Sequence, residues 1–516
     1  MIPHNGSTVA PGDAASKASS PAKYRTLHGW WFSSTLLLLL GGVFPLLFTQ
    51  IGPRSLLEPP VLLAFVVTQW ASLKLTHLLG RGQPNLVQTT FWVFVYIWFG
   101  LAALAQTAAQ QFPITNQSFT EGPQVNALLT VMVGLVAYEI GRVTYRSLSC
   151  SALARELERR QLSRRRILSL AGLGFGSVVI AVWTYGLSVF FTSRYSVAEA
   201  LYGAPAPGQR LDQIGNKAIG LLQTTLIWLP AFCALYLLIV YANRAQEREP
   251  TGLRKLWAEP PTQLVLIGLV VANIIVNNPI SSPRYRFGGV ALALFAIAWS
   301  LRKPNQLRLW GGGLLVAILF ALPTFDIFRY EDRQMEFAPL KQQLLASPDF
   351  GMFQQEINAQ VYVADHGYTL GEQAIGVIFG YVPRALWPDK PIDTGNIIVR
   401  SDAINASASL WATVYVDGGI LAVAVIFLAY GRLTQLFEDI YIRNGRNSLF
   451  VYAGVPLYAG FQLILLRGDL QPAVGQLVPL LVMLLIASRR EAAGRLTAAP
   501  HAAGGSTQRS AARRSC

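Results

Sequence analysis

From position 89 to position 109 the chain reads Thr89-Thr90-Phe91-Trp92-Val93-Phe94-Val95-Tyr96-Ile97-Trp98-Phe99-Gly100-Leu101-Ala102-Ala103-Leu104-Ala105-Gln106-Thr107-Ala108-Ala109, without one charged residue. A helix crosses a bilayer with about 20 mostly apolar residues, and this run supplies them. It decides the fold because it is one of a series. Eleven more apolar runs lie at 30–49, 60–79, 125–143, 167–191, 218–241, 262–276, 287–301, 309–328, 410–431, 449–466 and 473–487. The expectation is an all-α, polytopic transmembrane bundle of about twelve spans. Trp30, Trp31, Trp310 and Trp411 flank runs and read as interface anchors.

Composition agrees. Of 516 residues, 52% are hydrophobic and only 13% charged, against about 25% charged in soluble domains. Mean hydropathy is +0.39. The net charge of +15 would point to nucleic acid in a soluble protein. Here most Lys and Arg fall in short gaps between apolar runs, where they orient helices, so nucleic acid is not expected as a partner. Cys150, Cys233 and Cys516 form no CxxC, which leaves no disulfide framework and no zinc signature.

The gap charges give an orientation. Arg155, Arg159, Arg160, Arg164, Arg165 and Arg166 lie between runs four and five. Arg244, Arg248, Arg254 and Lys255 follow run six, Arg302, Lys303 and Arg308 follow run eight, and Arg432, Arg443 and Arg446 follow run ten. The alternate gaps are sparse, and residues 110–124 contain no Lys or Arg. One parity satisfies the positive-inside rule throughout: both termini cytoplasmic and an even number of spans.

This divides the chain into a polar tail (1–28), helices one to nine (29–328), a large extracytoplasmic loop (329–409), helices ten to twelve (410–488) and an Ala/Gly/Arg-rich tail (489–516). Both tails have compositions expected to be disordered. Loops beyond about 15 residues are usually functional or disordered. This loop carries Tyr330, Phe337, Phe350, Phe353, Tyr362 and Tyr368, enough to fold. Segments 336–345 and 350–363 read as short amphipathic helices, and 374–382 as an interfacial or re-entrant helix too short to span.

Gly172, Gly174 and Gly176 superficially match a nucleotide-binding glycine loop, but no strand precedes them. The spacing of Gly172 and Gly176 suits close helix packing instead. No HExxH, Walker-type GxxxxGK or D-x-D occurs, so no metal and no cofactor are implied.

What stands out is arginine in the charge-poor gaps. Arg284 and Arg286 sit in Ser281-Ser282-Pro283-Arg284-Tyr285-Arg286, Arg467 and Asp469 in Leu466-Arg467-Gly468-Asp469-Leu470, and Arg384 and Lys390 in the loop. Ionisable groups near membrane depth are costly and often functional. The planar guanidinium fork suits phosphate or carboxylate. The structural alternative is pairing with Asp469, Asp326 or Glu331, or snorkelling to headgroups. The loop also holds Phe379-Gly380-Tyr381-Val382-Pro383-Arg384-Ala385-Leu386-Trp387-Pro388-Asp389-Lys390-Pro391-Ile392-Asp393-Thr394-Gly395, an extended strip of aromatics, cations and carboxylates, or else a rigid turn.

The Pro383-Arg384-Ala385-Leu386-Trp387-Pro388-Asp389-Lys390-Pro391 run, in a long late loop of a roughly twelve-helix chain, resembles the Wzy-type O-antigen polymerases. Tyr415-Val416-Asp417-Gly418-Gly419 and the Arg467-Gly468-Asp469 turn are similar to patterns of that family. The resemblance covers residues 277–290 and 370–470. It implies a GT-C-like glycosyltransferase of the bacterial inner membrane that joins undecaprenyl-diphosphate-linked oligosaccharide repeat units on the periplasmic face, without metal. Its partners would be the lipid-linked glycan, membrane lipid, a chain-length regulator and a flippase. Arg284 and Arg384 would stabilise the leaving diphosphate, with Arg286, Lys390 and Arg467 in support. Asp389, Asp393, Glu372 and Asp417 are the candidates to orient or deprotonate the acceptor hydroxyl. Tyr381 and Trp387 would stack on sugars, and Asp469 would contact substrate. An O-antigen ligase shares this layout. A lipid-linked sugar flippase is the reading from another class, disfavoured because the chain shows no internal repeat.

Overall fold

Within lipid every backbone N–H must find an acceptor in its own segment, so uncharged runs fold as helices. The computed structural model describes residues 22–49, 52, 55–114, 118–145, 156–157, 159–193, 197, 199, 217–248, 260–298, 304–324, 339–383, 385–399, 407–445 and 448–490. In chain order the helices are α1 (Trp30–Phe48), α2 (Pro59–Arg81), α3 (Leu86–Ala109), α4 (Glu121–Val143), α5 (Arg164–Tyr185), α6 (Thr225–Asn243), α7 (Pro260–Val276), α8 (Arg284–Ala298) and α9 (Asn305–Ala321). Four short helices follow: α10 (Leu340–Ala346), α11 (Met352–His366), α12 (Glu372–Ile378) and α13 (Thr394–Ile398). The chain then forms α14 (Leu410–Asn444), α15 (Leu449–Arg467) and α16 (Leu470–Ala487). One antiparallel ribbon joins β1 (Arg160–Leu162) to β2 (Ser488–Arg490).

Nine helices among the described residues, α1 to α6 and α14 to α16, are long and apolar enough to cross a membrane. The protein is a helical membrane protein. The runs expected at 262–276, 287–301 and 309–328 are also helical where described, as the shorter α7, α8 and α9.

α3 is the centre. Its residues from Leu86 to Thr107 are buried all round, as for a helix enclosed by other helices. Phe91 stacks on Tyr138 at 3.8 Å between centroids, and Phe94 on Trp98 at 4.9 Å. Trp411 packs against Phe91, Phe94, Phe99 and Phe427 and donates its Nε1–H to the Val131 carbonyl. This corrects the expectation that Trp310 and Trp411 anchor at an interface: both are almost fully buried, whereas Trp30 and Trp31 are exposed. α4 and α14 cross backbone to backbone. A Cβ on Gly141 would lie 2.0 Å from the Leu428 carbonyl oxygen, and one on Gly431 would lie 2.0 Å from that of Tyr138. Between α5 and α6, the close approach is at Gly174 against Pro230 and Ala231. Gly172 and Gly176 face open space, so the expected packing pair is displaced by two residues.

Several boundaries differ from the sequence reading; α5, for one, ends at Tyr185 rather than 191, at a turn on Gly186. α14 runs on to Asn444, placing Arg432 and Arg443 on helix rather than in a gap. α12 ends at Ile378, four residues before the expected 382, because the chain turns at Gly380 ahead of Pro383.

The ends of two helices create the site's setting. Arg467 closes α15 and Arg284 opens α8, and both reach Asp349. Asp349 lies beside Trp98, in the middle of α3, so the α15–α16 turn and the start of α8 stop short of the end of α3 and leave a recess. The segment from α10 to α11 fills it. Trp98 Nε1 donates to the Asp349 carbonyl at 2.7 Å, about 15 Å below the end of α3 at 1.5 Å per residue. Gln106 Nε2 donates to the carbonyls of Leu344 and Phe350, and Gln360 Nε2 to Thr130 Oγ1. We call this the loop end of the bundle and the ribbon side the clasp end.

Candidate functional site

The loop end is assembled from three chain segments. Asn278 organises the first: its Oδ1 accepts from the backbone N–H groups of Ile280 and Ser281, each at 2.9 Å, and this turn delivers Arg284 into the first turn of α8. The Arg284 fork grips both carboxylate oxygens of Asp349, Nη2 to Oδ1 at 3.2 Å and Nη1 to Oδ2 closer still. Arg467, the last residue of α15, reaches the same aspartate. Its Nη2 donates to Asp349 Oδ1 at 3.1 Å, and its Nε and Nη2 donate to the Asp349 carbonyl. The Arg467 guanidinium lies 3.8 Å from the Tyr285 ring centroid. Arg284, Asp349 and Arg467 are all buried. Among the described residues, two cations here meet one carboxylate.

Arg286 points elsewhere. Its Nη2 donates to Ser282 Oγ at 3.0 Å, and its guanidinium lies 5.1 Å from the Trp228 ring centroid.

The Asp469 side chain, two residues beyond Arg467, ties the loop strip to this turn. Its Oδ1 accepts from Gly395 N at 2.8 Å and Ala408 N at 2.9 Å. Lys390 is buried and donates its Nζ–H groups to the carbonyls of Gly380 and Val382, closing the Pro383 turn. Gln471 sits between Lys390 and Asp393. In the amide orientation that satisfies both neighbours, its oxygen accepts from Lys390 Nζ at 2.8 Å and its nitrogen donates to Asp393 Oδ1 at 2.7 Å. Asp393, Asp469 and Gln471 line a small crevice with Gln373, Thr394 and Thr413.

The remaining expected residues divide between support and surface. Asp417 caps α12: Oδ1 accepts from Gln373 N and Thr369 Oγ1, Oδ2 from Ala374 N. That capping needs a break in α14, supplied by Gly418 and by Gly419 at φ +66°. Glu372 is exposed in the first turn of α12, where the helix dipole favours it. Tyr381 donates its hydroxyl to the Gly475 carbonyl. Trp387 is half-buried and meets the Phe379 ring edge-on at 6.4 Å, and Asp389 is exposed. Arg384 lies outside the described residues.

The structure thus brings together Arg284 with Arg467, and Lys390 with Asp393 and Asp469, at one end of the bundle. It sets Arg286 and Asp417 to separate tasks. Sequence reasoning missed two acids. Asp349 is a shared partner of both gap arginines, where Asp469 was the expected one; Asp326 and Glu331 lie outside the described residues. Glu356 on α11 is fully buried; its Oε2 accepts from Ser409 Oγ at 3.4 Å, and its Oε1 has no hydrogen-bond partner among the described residues. Burial pushes this carboxyl up to about 8, so it holds its proton at neutral pH. A signal for Asp349 existed in Ser347-Pro348-Asp349-Phe350, a turn that places a carboxylate between two loop helices. Among the described residues, no three His, Cys, Asp or Glu gather as a metal site. Compared with protein families, with curated proteins and with solved structures, the chain matches none.

Proposed function

We propose that this protein polymerises lipid-linked oligosaccharide repeat units on the periplasmic face of a bacterial inner membrane. Twelve spans would place both termini in the cytoplasm, with the loop end outside. The supporting observation is convergence. Arg284, Arg467 and the Pro383–Gly395 strip come from three distant segments and meet at one end of the bundle, linked through Asp349 and Asp469. A transferase acting on a polyprenyl diphosphate needs a cation beside the phosphates, a carboxylate beside the sugar and an apolar flank for the lipid. The loop end offers the two guanidinium groups of the Arg284–Asp349–Arg467 cluster, the crevice carboxylates Asp393 and Asp469, and the exposed apolar residues Ile375, Ile378, Phe379 and Leu386.

In this reading the anomeric carbon–oxygen bond to the donor's diphosphate breaks and the acceptor hydroxyl oxygen takes its place. The hydroxyl proton passes to a carboxylate, for which Asp393 is placed best. Negative charge grows on the departing undecaprenyl diphosphate and is stabilised by the arginine cluster. Asp349 has a second task here. It holds two buried guanidinium groups apart from each other's charge and fixes their planes.

The test is surface polysaccharide in a deletion strain. Loss of the ladder of chain lengths, leaving single repeats, is expected. Complementation with Arg284→Lys, which keeps the charge and loses the fork, should fail although the protein reaches wild-type levels in the membrane. An unchanged ladder in the deletion strain would overturn the proposal. Full-length polymer stranded on its carrier lipid would reassign the protein as a ligase.

A further inference from the structure

The clasp end carries a charged surface that the glycan reading does not use. β1 pairs with β2 in the register Arg160↔Arg490 and Gln161↔Arg489, joining the entry of α5 to the exit of α16. Ser448 Oγ donates to the Arg160 carbonyl and Leu449 N to Gln161 Oε1, so α15 is tied in as well. Some arginines here build the clasp. Arg160 and Arg490 both donate to Glu156 Oε1, and Arg166 donates to the carbonyls of Ile486 and Ser488. Arg159, Arg165 and Arg489 do not. All three side chains are exposed and have no hydrogen-bond or ion-pair partner among the described residues.

Two apolar stripes lead to these free arginines. On α5 the exposed positions Leu173, Ile180 and Trp183 continue the face that begins at Arg165. On α16 the exposed Val482 and Leu485 lead to Arg489. α5 and α16 are packed neighbours, tied at this end by Arg166 and the ribbon, and the stripe on each ends in an unspent cation.

The geometry points to a docking surface for an anionic phospholipid, its acyl chains along the two stripes and its headgroup phosphate on Arg165 and Arg489, with Arg159 beside them. Apolar surface continuous with the cations selects a lipid over a soluble anion. Juxtamembrane arginines attract anionic headgroups through the negative potential of the lipid surface. The clasp fixes the backbones that present them, which concentrates that attraction at one place.

The experiment uses the full-length protein in detergent. Phosphatidylglycerol, phosphatidylcholine and inorganic phosphate are titrated separately while thermal stability and retained lipid in native mass spectra are followed. Phosphatidylglycerol should raise Tm and remain bound. Phosphatidylcholine and inorganic phosphate should do neither. Arg165→Gln/Arg489→Gln should raise the phosphatidylglycerol concentration for half effect about tenfold and leave the lipid-free Tm unchanged. A charge-matched control at the same end, Arg81→Gln/Arg432→Gln, should leave that concentration unaltered. Equal weakening by both double variants would overturn the site in favour of net charge alone. Equal stabilisation by phosphatidylcholine or by phosphate would overturn the anionic lipid.

Discussion

Arginine sits at both ends of this bundle, in two different solvents. At the loop end, Arg284 and Arg467 are buried and share one carboxylate, Asp349. At the clasp end, Arg159, Arg165 and Arg489 are exposed, and Glu156 is taken by Arg160 and Arg490. The same residue type therefore carries different energies. A buried guanidinium stripped of its partner is very costly, whereas an exposed one is hydrated whatever stands beside it. Arginines in charge-rich gaps orient helices. Arginines in charge-poor gaps are retained against that rule, and here Arg284 and Arg467 are the ones that share a buried carboxylate.

Asp349→Ala is the most severe way to break this contrast. It leaves two buried cations without the carboxylate they share, at a cost of about 3–5 kcal/mol. Size-exclusion chromatography in detergent should show loss of the monodisperse peak and a large drop in Tm. A variant with wild-type Tm would mean that water, not Asp349, satisfies the two arginines.

The next effect depends on pH. Glu356 has a folded-state value raised to about 8, above about 4.3 for an unfolded glutamate. Between those values the folded protein binds the extra proton, so stability falls as pH rises, by up to about 1.4 kcal/mol per pH unit. Wild-type Tm should drop between pH 6 and pH 8. Glu356→Gln, which cannot ionise, should flatten that dependence. Parallel curves would show that Glu356 is already charged at pH 6.

These two acids also mark where the sequence stops being readable. Helix positions were legible because an uncharged run in lipid has one outcome, and the apolar runs, α3 above all, appear as helices. Partner choice was not. Nothing local to Arg284 announces Asp349, 65 positions away, because the contact exists only after α8 and α15 end short of α3 and the loop descends into the gap. Trp411 misled for a related reason. A tryptophan at a helix start reads as an interface anchor, yet α14 begins within that recess and Gly134 opens space for the indole. The strip around Pro383 was recognisable as extended and rigid, but the Lys390–Gln471–Asp393 arrangement depends on α16, about 80 residues later. Glu356 gave no signal, since its burial follows from α11 packing against α4 and α14.

Asp417→Ala probes a milder link at the loop end. The aspartate satisfies two backbone N–H groups at the start of α12, a contribution of about 1 kcal/mol. Amide exchange across 372–378 should quicken about fivefold, while α14 beyond Gly419 keeps its protection. Equal acceleration along α14 would show that the kink, rather than the cap, depends on Asp417.

The smallest effect belongs to the clasp end and sharpens the contrast from the other side. Without added lipid, Arg489→Gln removes an exposed cation with no partner among the described residues, so stability should stay within about 0.5 kcal/mol of wild type. Arg490→Gln breaks an ion pair to Glu156 that is largely solvated, and such pairs contribute little to stability. The two variants should therefore be nearly indistinguishable by Tm. They separate only when phosphatidylglycerol is present, where Arg489→Gln loses the added stabilisation and Arg490→Gln, already spent on Glu156, retains most of it. A large loss of lipid-free Tm in Arg489→Gln would make that residue a structural part of the ribbon, and the distinction between spent and unspent arginines at the clasp end would collapse.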